Sequence, residues 1–282
     1  MSEPNMLPIR VMTFNINGND LEIDLKNMER SWVNRADLTL KTIRSSSPDL
    51  IGLQEVVPPN LEFFQEHLTD YAYELGQEYD EGEYAAYSSI LWKRARFELI
   101  ESGKFWFSRT PDVRSSDWGV PYPMGATWVR LQEVPTGMRL LHMNTHFEDG
   151  LEGEQSRVES SKLVVARIKQ LAPDSPAIVT GDFNCNPRSA AYNRFIAAGF
   201  IDAYLAAGNI DGAASTFHGY AGEKYNALEW GGSDPFWRID WILVHSVRQP
   251  IQIRSCTIIR DAEAPLYPSD HYPVTADLLL NP

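Results

Sequence analysis

What most constrains this chain is a pattern that recurs along its length: apolar, β-branched runs that border on carboxylate, amide or imidazole side chains. "VMTFNIN" ends in Asn15 and Asn17, "LIGLQE" in Gln54 and Glu55, "LLHMNTH" in Asn144 and His146, and "IVTGDFN" in Asp182 and Asn184. "RIDWILV" opens on Asp240, and "YPSDHYPV" sets Asp270 and His271 just ahead of the last run. Taken singly, each is what a turn or a helix cap selects. Six of the same kind gather chemistry at the ends of strands.

Periodicity assigns the elements. Strands are predicted at 9–15, 49–55, 86–92, 97–101, 125–134, 138–145, 177–182, 238–244, 251–259 and 272–280. Helices are predicted at 33–43, 61–68, 154–171 and 189–198, the last stopping at Gly199. Strand–helix pairs come first, hairpin-like strands follow, and helices return. That mixture predicts one layered α/β domain over residues 1–282, with two packed sheets, helices outside and residues 1–8 as a tail. The segment 208–237, with six glycines and no clean period, reads as a long surface loop of the kind that carries binding function. "EDGLEGE" (148–154) reads as a solvated acidic helix entry rather than a second metal site.

Composition narrows the partners. With 25 basic residues against 38 acidic ones the net charge is −13, and no basic run stands out, so long duplex nucleic acid is disfavoured. An acidic protein with an acidic pocket needs a divalent cation before it meets an anionic substrate. No apolar stretch approaches the roughly 20 residues of a membrane span. "MSEPNMLPIR" lacks the basic start and apolar centre of a secretory signal, which makes a cytoplasmic location the expectation. Two cysteines make no disulfide framework, and Cys185 reads as packing. Nothing in the sequence indicates an oligomer, and a monomer is the default.

The strand-end residues form a chemical inventory. Glu55 and Asp270 are hard oxygen donors suited to Mg²⁺ or Mn²⁺, and no thiolate or His cluster favours zinc. Asn15, Asn184 and His146 can donate to phosphate oxygens without adding negative charge. Asp240 and His271 can pair, the acid fixing the tautomer and raising the imidazole pKa. Asp182 is then free to orient or deprotonate a water. Together they suit metal-assisted hydrolysis of a phosphate ester.

"TFNIN", "IGLQEV", "NTHF", "GDFN", "RIDWIL" and "SDH", in that order from residue 9 to about 280, resemble the signature of the endonuclease/exonuclease/phosphatase superfamily. The resemblance implies a four-layer α/β/β/α sandwich, two packed mixed β-sheets flanked by helices, with the active site at one edge of the paired sheets. It implies that Glu55 binds an essential Mg²⁺ (Mn²⁺ substituting), with Asn15 and Asp270 nearby. It implies that Asp182 orients or activates water, that Asn184 positions water and phosphate, and that His146 donates to a phosphoryl oxygen. His271, held by Asp240, stabilises the transition state or takes the proton; the resemblance leaves open which of Asp182 and His271 is the base. Some relatives carry an Asp where this chain has Asn17, which weakens a two-metal site.

"FWFSRTPDVRSSDWGVPYPMGATW" (105–128) and "STFHGYAGEKYN" (215–226) resemble a bacterial-type branch. Arg109, Arg114, His218 and Lys224 are the candidates to meet an anionic substrate. Trp118, Tyr122, Tyr220 and Trp237 are the candidates to stack on a base or sugar, with loop packing as the alternative for each. The expected function is a Mg²⁺-dependent phosphoesterase, a phosphodiesterase first, on a small or single-stranded substrate such as a nucleotide, a nucleic-acid end or a sugar phosphate. The alternatives are a sphingomyelinase-like lipid phosphodiesterase, for which no amphipathic membrane helix is seen, and a non-catalytic binding module on the same fold.

Overall fold

The computed structural model describes residues 6–18, 30–79, 85–150, 153–212, 214–232, 235–248, 250–263 and 265–281. Two six-stranded sheets pack face to face. The first contains β1 (Leu7–Asn15), β2 (Leu50–Val56), β3 (Tyr71–Tyr79), β4 (Ala86–Lys93), β11 (Gln252–Ile258) and β12 (Val274–Leu280), in the order β11-β12-β1-β2-β4-β3. The second contains β5 (Phe97–Trp106), β6 (Gly125–Glu133), β7 (Arg139–His146), β8 (Ala177–Asp182), β9 (Ile201–Asp202) and β10 (Asp240–His245), in the order β5-β6-β7-β8-β10-β9. Helices α1 (Trp32–Ser46) and α2 (Pro58–His67) cover the first sheet, and α3 (Glu154–Leu171) and α4 (Ala190–Ala197) the second, while α5 (Ala203–Ala206) is a single turn. This is the α/β/β/α sandwich, and both sheets are mixed.

The layers follow from strand alternation, which sends successive side chains to opposite faces. Leu7, Ile9 and Val11 of β1 join Leu140, Ile178, Ile242 and Leu278 in the core between the sheets. Met12 and Phe14 point the other way and pack with Leu40 and Ile43 of α1. On the far side, Val179, Trp241 and Leu243 meet Val164, Ile168 and Phe195 of α3 and α4.

Followed along the strands, the layer between the sheets changes character. Beyond the apolar residues it continues as Thr13, Gln54, His142, Asn144 and Thr180, all fully buried. Asn144 has no exposed surface, and its polar capacity is filled. Its Oδ1 accepts from Gln54 Nε2 at 2.7 Å and from Thr180 Oγ1 at 3.0 Å, while its Nδ2 donates to Leu53 O at 2.8 Å and Ser89 O at 2.9 Å. Two of those bonds stitch one sheet to the backbone of the other. Gly52 opens the space for this: a Cβ there would lie 2.0 Å from Thr180 Oγ1 and 2.4 Å from Asn144 Oδ1.

Leu53 pairs with Ser89 and Val56 with Tyr87, so Gln54 and Glu55 oppose Ser88 alone. This is a β-bulge, which bends a strand and re-aims a side chain. Glu55 lies in the left-handed region at φ 57°.

Three expectations need correction. Residues 1–8 are not all tail, because β1 begins at Leu7, which pairs with Leu280; residues 1–5 lie outside the described residues. The edge strand β3, "YAYELGQEY", is absent from the sequence reading; its alternation is interrupted at Gly76, where a bulge separates Glu74 from Gln77. The segment 208–237 is not purely surface loop, since Thr216 and His218 are completely buried. Among the described residues no helix is long and apolar enough to cross a membrane. The acidic stretch 148–154 lies partly outside the described residues, at Leu151 and Glu152.

Asn144→Ala would remove a donor from each of two backbone carbonyls and an acceptor from the Gln54 amide, and is expected to cost about 3–5 kcal/mol, read as a lowered urea midpoint. His142 offers a pH signature. Its Nε2 lies 2.9 Å from Thr180 Oγ1, and burial pushes its pKa down to about 3. The unfolded chain therefore takes up this proton below about pH 6.5 while the folded chain does not until about pH 3. Stability then falls as pH drops through that window. His142→Gln is expected to flatten this acid limb in a plot of melting temperature against pH.

Candidate active site

The charged end of the inter-sheet layer is built by register. In the second sheet His146 pairs with Asp182 across the parallel β7–β8 ladder, and Asp182 with Asp240 across the antiparallel β8–β10 ladder. Three strands thus present an imidazole and two carboxylates side by side, with Asp182 and Asp240 each 1% exposed. Gly181 lets β7 and β8 approach there, since a Cβ would sit 2.6 Å from Thr145 O.

The first sheet supplies Asn15 and Glu55. Asn15 Nδ2 donates to Glu55 Oε1 at 2.8 Å and to Asp182 Oδ2 at 3.0 Å, so one carboxamide joins a carboxylate from each sheet. Asn15 Oδ1 accepts from Asn17 N–H at 3.0 Å, and Asn17 Nδ2 lies 3.1 Å from the Tyr220 hydroxyl. His271 enters from the segment before β12. Its Nδ1 donates to Asp240 Oδ2 at 3.0 Å, and its Nε2 lies 3.7 Å from Asp182 Oδ2, which is also 3.5 Å from His146 Nε2. Asp182 is the point of convergence. Its other oxygen accepts from the Asn184 N–H at 3.0 Å, and Asn184 Nδ2 donates to Phe147 O at 2.8 Å.

Burial raises the pKa of Asp182 to about 7, and the charge on Asp240 pushes the same way. Burial also raises Glu55, with Asp270 adding to the shift. His271 loses solvation too, but the charges of Asp240 and Asp182 outweigh that and raise it to about 10. His146 goes the other way, lowered by burial. The result is a cationic His271 beside a neutral His146.

Asp182, Asp240 and His271 carry ligand atoms within 4.8 Å of one another, a set able to hold a metal ion. In that set, however, His271 and Asp240 already bond each other. Glu55 and Asp270 are the other hard donors. Their mutual repulsion, which helps raise Glu55, is what a divalent cation relieves, so the residues present fit such an ion.

Sequence reasoning missed Thr216. Its hydroxyl oxygen accepts from Ile239 N–H at 2.9 Å and Asp240 N–H at 3.1 Å, capping β10 where Asp240 stands. The same segment carries on along the His271 side: Phe217 forms a bridge with His271, and His218 and Gly219 N–H groups donate to Asp270 O at 2.8 and 3.1 Å. A lone Thr in a glycine-rich stretch gave no signal.

The loop candidates divide. Tyr220 stands close to the site through Asn17, with the Arg30 and Arg35 guanidinium groups over its ring at 5.4 and 5.8 Å. His218 is not an anion-facing cation: it is buried, stacked on Tyr272 at 3.9 Å, and burial lowers its pKa to about 3. Arg109 pairs with Asp117 at 2.8 Å, and Arg114 Nε lies 3.2 Å from Glu78 Oε1. Trp118 and Tyr122 pack against the helical side of the second sheet. Lys224 lies exposed in a single 3-10 turn. Cys185 packs against the same core, as expected.

The model of the endonuclease/exonuclease/phosphatase family matches residues 12–271. The chain belongs to that family. Its members are phosphoester hydrolases, and this member carries strand-end residues from both sheets in one site. A solved endonuclease/exonuclease/phosphatase from Bacteroides vulgatus is 29% identical, with a TM-score of 0.82 over 97% of this chain and 99% of that one. The mannosyl-6-phosphatase Bt3783 of Bacteroides thetaiotaomicron is 26% identical, with a TM-score of 0.80 over 96% and 99% of the two chains. Tyrosyl-DNA phosphodiesterase 2 of Danio rerio is 22% identical over 72% of this chain and 48% of its own length; the chain spans about half the length of the curated relatives it matches.

Thr216→Val keeps the shape of this family member's clamp but removes the acceptor for two buried N–H groups. It is expected to cost about 1–3 kcal/mol in urea unfolding, with Thr216→Ser restoring most of it.

Proposed function

We propose that the protein hydrolyses phosphate esters with the help of a divalent cation, Mg²⁺ or Mn²⁺, and acts on a small or single-stranded substrate. The observation that carries this reading is the convergence on Asp182 of Asn15 from the opposite sheet and of two imidazoles, one held by Asp240.

Glu55 and Asp270 would hold the cation, with Asn15 fixing the Glu55 carboxylate. Bound there, it would supply positive charge against the negative charge that develops on the phosphoryl oxygens. Asp182, with its pKa raised to about 7, suits the acceptance of a proton from water at neutral pH. His271, kept charged by Asp240, suits donation to the phosphoryl group rather than proton removal. His146 would donate to a second phosphoryl oxygen. Asn184, tethered to Phe147 O, would orient water and phosphate. With no covalent intermediate, the configuration at phosphorus inverts.

Support for a small substrate comes from the net charge of −13 and from the full-length likeness to a mannosyl-6-phosphatase. A second reading, action on nucleic-acid ends, draws on the Danio rerio phosphodiesterase. A panel of aryl, sugar, nucleotide, phosphotyrosyl-DNA and sphingomyelin esters tests both, assayed with Mg²⁺, Mn²⁺ and a chelator. Activity is expected only with the metal. Asp182→Asn and His271→Ala are each expected to lower kcat by a factor of at least about 10³. Full activity in both variants would sink the assignment.

A further inference from the structure

We infer that the cavity beside Asn184 is the leaving-group subsite, and that it takes an uncharged polyol of monosaccharide size, which makes the substrate a sugar phosphate. This rests on the phosphoesterase reading above. The cavity measures about 560 Å³ and is walled by the 184–189 loop, by Asp211, Gly212 and Ala214, and by Gly231, Gly232 and the 236–239 segment. It is of the size that small-molecule sites occupy. Asn184 and Asp149 bound it on the side of the reacting centre, and the charge of Asp149 bears directly on the His146 imidazole.

The wall is built rather than incidental. Asn186 Nδ2 donates to Phe236 O at 3.1 Å while its Oδ1 accepts from Arg238 N–H at 3.0 Å, which locks the loop after Asn184 to the segment before Asp240. Two of the three lining guanidinium groups are already engaged. Arg157 donates to the carbonyls of Glu148 and Gly150, and Arg238 is buried between Asp202, at 2.7 Å, and Asp211, at 3.2 Å. Toward a ligand there remain the Asp149 carboxylate, the Arg188 side chain (75% exposed, 3.8 Å from Asp211) and the part of the half-buried Trp237 indole that Phe217 and Tyr225, packed at 5.9 and 6.3 Å, leave uncovered.

An aromatic face beside one acceptor and one donor suits a pyranose, whose C–H face covers a ring while its hydroxyls meet carboxylate and guanidinium. A continuing nucleic acid would instead carry its next phosphate toward Asp149, against the usual need for several free cations. In the reaction the water oxygen bonds to phosphorus, the P–O bond to the sugar breaks, and the proton removed from water ends on the sugar hydroxyl.

The test is the ratio of kcat/KM for mannose or glucose 6-phosphate to that for p-nitrophenyl phosphate, with AMP alongside, in Mg²⁺ and Mn²⁺. Trp237→Ala is expected to lower the ratio at least tenfold and Trp237→Phe to restore most of it. Asp149→Asn, at an exposed position that leaves folding intact, is expected to lower it about threefold or more. An unchanged ratio in both Trp237→Ala and Asp149→Asn, or a preference for AMP over the hexose phosphates, overturns the inference. If the wild-type protein hydrolyses p-nitrophenyl phosphate but no hexose phosphate, the subsite assignment alone fails. If it hydrolyses no ester at all, the phosphoesterase reading fails and takes this inference with it.

Discussion

The rest of the structure depends on the buried carboxamide of Asn144. It makes three hydrogen bonds across the space between the sheets, to Gln54, Leu53 and Ser89, and a fourth within its own sheet, to Thr180. Apolar contact alone would let two sheets slide, because the hydrophobic effect has no direction. A fully satisfied amide does have direction, and it sits one side-chain step below His146 on β7. It therefore sets how the bulge at Gln54–Glu55 faces the end of β8. The apolar end of the layer supplies the stability, and the amide end supplies the registration.

Above that joint the molecule gathers like charges in a dry place. Glu55, Asp182, Asp240 and Asp270 all lie near two imidazoles, and burial raises the proton affinity of Asp182 and Glu55. Asn15 reaches a carboxylate of each sheet. Such an arrangement opposes folding locally and is held in place by the sandwich around it. Rigid strand ends do what mobile loops could not, holding groups of like charge at fixed separations.

Much of this was legible in the sequence, for a definite reason. Period-two alternation puts Thr13 and Asn15 on the same face as Ile9 and Val11, so the polar ends of the strands had to share the layer between the sheets. The helix 154–171 was also plain, with its apolar positions correctly spaced. What stayed hidden depended on irregular backbone. The bulge that turns Glu55, the interrupted strand β3 and the bond from Thr216 to the start of β10 leave no periodic trace. His218 misled because its residue type suggests a cation, while its burial against Tyr272 could be seen only in three dimensions. The acidic partners of Arg109 and Arg114 were hidden for a like reason, since they come from a turn and an edge strand whose proximity no spacing announces.

The pairing of β1 with β12 has a consequence for biosynthesis. Thr13 lies opposite Val274 and Leu7 opposite Leu280, so the second strand to flank β1 is made long after β1 itself. Until then one edge of β1 stands open, and the apolar faces of Ile9 and Val11 lack the cover that Ala276 and Leu278 will give. Contacts of such long sequence separation form late and slowly. A chain stalled before β12 would therefore combine a sticky, half-built sandwich with a His271 not yet held beside Asp182, and this interval is the one in which chaperones have most to bind.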